Sequence, residues 1–131
     1  MIAVDTNIIV RIATGDDPSE KAVAQALFDN HRVLIAKTVL LEAEWVLRAR
    51  YRYPPDEIAE LFRFLAESQN VFLEDAASVY TALRYYEAGA DFADALHLAS
   101  AGDVPFYTLD RTFCRKAIRE GIAPPVEIAR A

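Results

Sequence analysis

The chain has 131 residues, 53% of them hydrophobic, and its 14 basic and 20 acidic residues give a formal net charge of −6. That length favours a single domain whose core needs no disulfide, and one cysteine cannot form an internal bridge. The acidic balance argues against a broad basic surface of the kind that holds DNA by counterion release. No secretory signal and no long uncharged apolar run is visible, so we expect a soluble, cytoplasmic protein without a membrane span.

Five short apolar segments alternate with longer segments of helical period. They are residues 2–4, 33–36, 71–73, 104–107 and 126–128. Strands separated by helices need crossover connections, which favour a parallel sheet covered on both faces. The pattern predicts an α/β fold, and no repeat or flexible linker divides it.

The helices are predicted from start signals and apolar spacing. Asp17 before Pro18 is a typical helix start, and the helix that follows presents Val23, Ala26 and Leu27 on one side. Two later stripes, one after Pro54-Pro55 and one after Asp75, recur at i, i+3, i+4 and i+7. Their members are Ile58, Leu61, Phe62 and Leu65, and Val79, Ala82, Leu83 and Tyr86. We interpret such stripes as core and assign them no chemistry.

Two aspartates directly follow predicted strands. Asp5 comes after the first strand and Asp110 after the fourth. In open parallel sheets, the loops at the carboxyl ends of the strands line the crevice where ligands bind. Aspartate is also a preferred N-cap, which could explain either residue alone. A cap does not explain why both follow apolar strands, so we interpret the two as a candidate site.

Helical geometry separates Glu42 from Glu44 on a predicted helix over residues 38–48. Glu44 precedes Arg48 by one turn, the favourable order for an exposed ion pair, and is expected at the surface. Glu42 shares its face with three apolar residues, Val39, Trp45 and Val46. A carboxylate in apolar surroundings needs a cation or a pocket, because desolvating its charge costs several kcal/mol. We therefore favour a functional role for Glu42.

Two further acids begin a predicted helix over residues 92–99. Asp91 is the natural N-cap, and Asp94 lies in the first turn, where the helix dipole stabilises a negative charge. For Asp94 a structural role and a functional one are equally supported by these residues. His97, one turn later, is interpreted as a structural helix residue rather than as a partner of Asp94.

Four acidic segments, taken in order, resemble those of PIN-domain ribonucleases. They are Asp5-Thr6-Asn7, residues 38–48 (TVLLEAEWVLR), residues 92–99 (FADALHLA) and Thr108-Leu109-Asp110. Within that family the chain is most similar to the VapC-type toxins of prokaryotic toxin–antitoxin systems. The resemblance covers essentially the whole chain, with family-like spacing between the segments.

The resemblance implies a three-layer α/β/α sandwich with a mainly parallel five-stranded sheet, spanning 1–131 as a single PIN-like domain. It implies hydrolysis of RNA phosphodiester bonds by water, without a covalent enzyme intermediate, using Mg²⁺ or Mn²⁺. The implied partners are an RNA substrate, a cognate antitoxin protein and a second copy of the chain in a homodimer. The implied catalytic and metal-binding residues are Asp5, Glu42, Asp94 and Asp110, supported by Asp91 and by the polar side chains of Thr6, Asn7 and Thr108.

Other functions are weighed against this one. A haloacid-dehalogenase-type phosphotransferase needs an aspartate at position 7, where this chain has Asn7, and a response regulator needs adjacent acids after the first strand. A PIN nuclease of RNA processing outside a toxin system is an alternative, as is a non-catalytic acidic signalling or binding module. No arginine or lysine is assigned to RNA phosphates.

Overall fold

The structure is a computed structural model that describes residues 1–121 and 125–130. Its helices and strands occur in the order β1 (Ile2–Ala3), α1 (Thr6–Thr14), α2 (Pro18–Asn30), β2 (Val33–Ile35), α3 (Lys37–Ala49), α4 (Pro55–Glu67), β3 (Val71–Leu73), α5 (Ala76–Glu87), α6 (Phe92–Ser100), β4 (Phe106–Thr108), α7 (Arg111–Arg119) and β5 (Val126–Ile128). No helix within this described part is both long and apolar enough to cross a bilayer.

The chain divides into two compact units, Met1–Ala76 and the segment from Ala77 onward. In the first unit β2 pairs in parallel with both β1 and β3, and Val33 lies opposite Ile2 and Val71. In the second unit β4 pairs in parallel with β5. Helices connect the strands of each pair, as parallel pairing requires.

All five predicted strands form, and every strand pair in the described residues is parallel, which confirms the α/β class. Hydrogen bonding groups these strands as three and two, one group in each unit. The fourth strand begins two residues later than predicted, because Pro105 has no N–H and the Val104 N–H donates to the Ala101 carbonyl in a turn. The single domain over 1–131 stays a prediction.

The buried faces of α4 and α5 agree with the predicted stripes. Leu61 is half-buried, and the other members are buried: Ile58, Phe62, Leu65, Val79, Ala82, Leu83 and Tyr86. The face predicted for α2 was wrong, since Val23 is exposed while Ala24 and Phe28, four residues apart, are buried. Phe28 offers the larger apolar surface, so burying its side of the helix gains more free energy.

The helix α3 is rotated relative to the prediction. Its buried face carries Leu40, Ala43 and Leu47, and Glu44 lies in the same stripe with only 2% of its surface exposed. Glu42 is exposed instead. The expectation that Glu44 lies at the surface was therefore wrong. Three apolar residues of one stripe determine which side is buried, and Arg48 offsets the charge that this places in the core.

The core of the second unit joins α6, α7 and the β4–β5 pair. Its buried cluster consists of Leu98, Cys114, Ala117 and Val126, with Tyr85, Phe106, Phe113 and Ile128 packed against it while remaining partly exposed. An edge-on contact between the Tyr86 and Phe92 rings, 5.1 Å between centroids, fixes α5 against α6. This packing holds the N-terminal ends of α6 and α7, where the acidic residues lie.

Candidate functional site

Two helices of the second unit begin at aspartate N-caps. Asp91 Oδ2 accepts a hydrogen bond from the Asp94 N–H at 3.1 Å, and Asp110 Oδ1 accepts one from the Phe113 N–H at 3.0 Å. Thr108 Oγ1 in turn accepts from the Asp110 N–H at 3.0 Å. Within the described residues, none donates a hydrogen bond to the second oxygen of either carboxylate. The cap and the ligand interpretations are therefore compatible, since a cap uses only one oxygen.

Asp91, Asp94 and Asp110 line one cavity of about 110 Å³. Partial burial raises the pKa of the Asp94 carboxyl, and the negative charges of Asp91 and Asp110 raise it further. His97 and Lys116 act in the opposite direction through their positive charge. The second unit thus brings together two of the four predicted site residues, Asp94 and Asp110, and adds the supporting Asp91.

The remaining wall of this cavity is mostly aromatic and aliphatic, with Thr112 and Lys116 as its polar residues. Tyr85 of α5 and Phe113 of α7 line it, and both are half-buried. Lys116, one turn after Phe113 on α7, also lines it and is exposed. Neither aromatic residue was singled out from the sequence. Each belongs to a helix whose apolar residues are mostly core, so only the fold shows that part of their surface is open.

Asp5 and Glu42 belong to the first unit. Asp5 is the N-cap of α1, where its Oδ1 accepts from the Thr6 N–H at 2.7 Å, and its side chain is exposed. Thr6 is buried and Asn7 is exposed. The Glu42 carboxylate accepts no hydrogen bond from any residue that the structure describes. Both carboxylates are thus accessible from solvent.

The start of α3 is held by a residue that the sequence did not reveal. The N-cap position is Ala36, whose side chain cannot cap, and the Lys37 N–H donates instead to Glu74 Oε1 at 2.8 Å. Lys37 Nζ also lies 3.1 Å from Asp75 Oδ2. Glu74 follows β3 directly, so it anchors the helix that carries Glu42. An alanine at an N-cap position was the available signal that the cap comes from elsewhere.

The donor chemistry of the second unit suits a hard divalent cation. Carboxylate oxygens are the ligands that Mg²⁺ and Mn²⁺ prefer, and such a cation would neutralise the negative charges of Asp91 and Asp110 that act on the partly buried Asp94. Across residues 1–121 and 125–130, no three Asp, Glu, His or Cys side chains stand close enough together to hold a metal ion. The second unit therefore matches a divalent cation in the type of its ligands and in its local negative charge.

Comparison with known proteins gives the family. The PIN domain family matches residues 2–118. PIN domains are α/β folds that are typically nucleases, and they generally use divalent metal ions. No curated protein sequence and no solved structure gives a significant match. The chain belongs to the PIN-domain family.

Proposed function

We propose that the protein is an endoribonuclease that hydrolyses RNA phosphodiester bonds with Mg²⁺ or Mn²⁺. The observation that supports this best is the cavity that Asp94 and Asp110 share, where partial burial raises the pKa of Asp94 and the negative charges of Asp91 and Asp110 raise it further. Placing like charges together has an energetic cost that a nuclease offsets by binding a cation. Asp110 caps α7 and Asp94 lies in the first turn of α6, and neither structural role requires the two carboxylates to line one cavity.

Asp94 and Asp110 would hold the cation in the second unit, and Asp5 and Glu42 are proposed as further carboxylates that cleavage requires. A bound divalent ion lowers the pKa of water and stabilises charge on phosphate oxygens. The chain's own contribution is to fix these oxygens. Asp110 is held in place by its bonds to Phe113 and Thr108, and Asp94 is held at the first turn of α6. The oxygen of water then bonds to phosphorus while the bond from phosphorus to the leaving ribose oxygen breaks, without a covalent enzyme intermediate. The proton that water loses balances the one that the leaving oxygen gains.

A separate part of the proposal concerns the biological role of the protein. On the resemblance to VapC-type toxins, we propose a toxin role, inhibition by a cognate antitoxin, and a homodimer. Light scattering on the purified chain tests the dimer, and titration with the co-encoded antitoxin during cleavage tests the inhibition. A monomer whose cleavage no co-encoded protein suppresses would overturn the toxin role and leave the nuclease proposal standing.

The nuclease proposal is tested by incubating the purified chain with an end-labelled single-stranded RNA. We expect cleavage with Mg²⁺ or Mn²⁺, no cleavage with EDTA, and recovery when metal is restored in excess. Products with new ends inside the sequence would identify an endonuclease. An RNA left intact under every metal condition, by a chain shown to be folded, would contradict the proposal.

A further inference from the structure

We infer that the aromatic wall of the cavity that Asp94 and Asp110 also line is a nucleobase subsite: Tyr85 and Phe113 receive one base of the RNA, and Lys116 contacts an adjoining phosphate. This inference rests on the proposed function, since it assumes that RNA is the substrate. It adds the residues that hold the substrate next to the carboxylates. None of the three has a role in the acidic segments of the family resemblance.

The size of the cavity sets what can enter it. Its volume is about 110 Å³, whereas pockets that enclose drug-sized ligands measure about 300–1,000 Å³. A whole nucleotide is therefore too large to enter, whereas one planar ring can lie against the aromatic wall without being enclosed. Besides the two aromatic rings, Ala95, Leu98 and Ala117 line the cavity. Such walls suit the face of a base, since bases stack on aromatic side chains whatever their sequence.

The charges around the cavity indicate where the RNA backbone lies. Lys116 lines the cavity, is exposed, and carries a charge opposite to that of the three aspartates. A second cavity of about 240 Å³ shares Tyr85, Ala90 and Lys116 with the first and also includes Arg119. The second cavity also includes Glu120, whose Oε1 lies 3.8 Å from Arg119 Nε, so the cation available for a phosphate is Lys116, which lines both cavities. A strand whose scissile phosphate faces the acids can place a neighbouring phosphate at Lys116.

The chain offers closely matched controls for both contacts. Arg115 is next to Lys116 on α7 and is exposed, but it does not line the cavity, so Lys116→Gln and Arg115→Gln change the net charge equally. Tyr80 lies on α5 with Tyr85 and is also half-buried, again outside the cavity. Tyr85→Leu and Tyr80→Leu therefore remove the same ring from the same helix at two different places.

The experiment measures fluorescence anisotropy of labelled decauridine in EDTA, with gels verifying that the RNA stays intact. A matched oligomer of abasic ribose phosphates serves as the second probe. We expect Tyr85→Leu to weaken decauridine binding roughly tenfold and to leave abasic binding unchanged. We expect Lys116→Gln to weaken binding of both probes and to lower the salt slope by about 0.7, as for one phosphate contact. The Tyr80 and Arg115 variants should bind as the wild type does.

Equal effects within each matched pair, or no binding of decauridine by the wild type, would overturn the inference. If Tyr85→Leu fails to fold by circular dichroism, Phe113→Leu, which removes the other ring of the same wall, replaces it with the same expected results. Cleavage by the wild type is assayed separately with Mn²⁺. If the wild type cleaves RNA but both members of each pair change binding equally, the base subsite is refuted and the nuclease proposal stands. If only the Tyr85 and Lys116 variants weaken binding but the wild type does not cleave, the nuclease proposal is refuted alone.

Discussion

Arg48 neutralises a carboxylate that lies in the core of the first unit. Its Nε donates to Glu44 Oε2 at 2.8 Å and its Nη2 to Oε1 at 3.4 Å, while Glu44 is 2% exposed. Removing Arg48 takes away this compensation for a buried charge. We expect Arg48→Met to lower the free energy of unfolding by about 1–3 kcal/mol, measured by urea denaturation.

A double-mutant cycle separates this effect from lost packing. Glu44→Gln removes the charge that Arg48 compensates, so Arg48→Met should cost at least about 1 kcal/mol less in that background. Arg115→Met, which changes an exposed arginine in the middle of α7, should cost less than about 0.5 kcal/mol. A cost for Arg48→Met that is the same in both backgrounds would show that the pair contributes no coupling.

Glu74 supplies the N-cap that α3 lacks. Because the Lys37 N–H donates to Glu74 Oε1, we expect Glu74→Ala to cost about 1 kcal/mol of unfolding free energy. Ala36→Ser places a capping hydroxyl at the N-cap itself and should restore most of that loss in the double variant. Thermal unfolding of the three variants measures this. A double variant no more stable than Glu74→Ala would mean that Glu74 does not act through the cap.

Asp5 and Asp17 are both N-caps of helices in the first unit, but only Asp5 follows a strand. Asp17 Oδ1 accepts from the Glu20 N–H at 3.0 Å. Asparagine keeps a capping oxygen, so either substitution to Asn should change stability by less than about 0.5 kcal/mol. We expect Asp5→Asn alone to lower the RNA cleavage rate, by at least ~10²-fold. Equal rates for the two variants would assign Asp5 to capping only.

The raised pKa of Asp94 makes the stability of the metal-free protein depend on pH. The folded chain holds this proton more tightly than the unfolded chain does, so stability falls as the pH rises from the ordinary aspartate value through the raised one. Asp94→Asn removes this loss and should raise the Tm at neutral pH. Melting curves between about pH 4 and pH 8 test this. Asp103→Asn, at an exposed turn, should show the same dependence of Tm on pH as the wild type. The same dependence for Asp94→Asn would contradict this prediction.

Sequence patterns predicted those parts of the fold that depend on local chemistry. The Asp17-Pro18 start is a local signal, and α2 begins at Pro18 as predicted. The proline pair is a second local signal, and α4 begins at Pro55, before the predicted apolar stripe. The strands appear because short apolar runs between helices have no other stable place than a buried sheet. The β4 start was misplaced because the apolar Val104 looks like a strand residue although Pro105 interrupts the pairing.

The orientation of α3 could not be read from single residues. Glu42 and Glu44 each share a helix face with apolar residues. Which of the two is buried depends on which face packs against the rest of the core. Leu40, Ala43 and Leu47 decide it, although Trp45 is the largest apolar residue and is half exposed. The Glu74 cap and the cavity beside Asp94 are also tertiary, since each joins residues far apart in the chain. Helical periodicity favoured Glu42 because it predicted apolar surroundings, but Glu42 is exposed. Family resemblance also indicates Glu42, and it alone separates the two interpretations of Asp94.

Metal-dependent RNA cleavage is proposed to need the carboxylates of the shared cavity. The direct measurement is the Mn²⁺-dependent cleavage rate of one labelled RNA by the wild type, Asp94→Asn and Asp103→Asn, with each variant shown to be folded. We predict a rate at least ~10²-fold lower for Asp94→Asn and a rate within about twofold of the wild type for Asp103→Asn. Wild-type cleavage by Asp94→Asn would contradict the account.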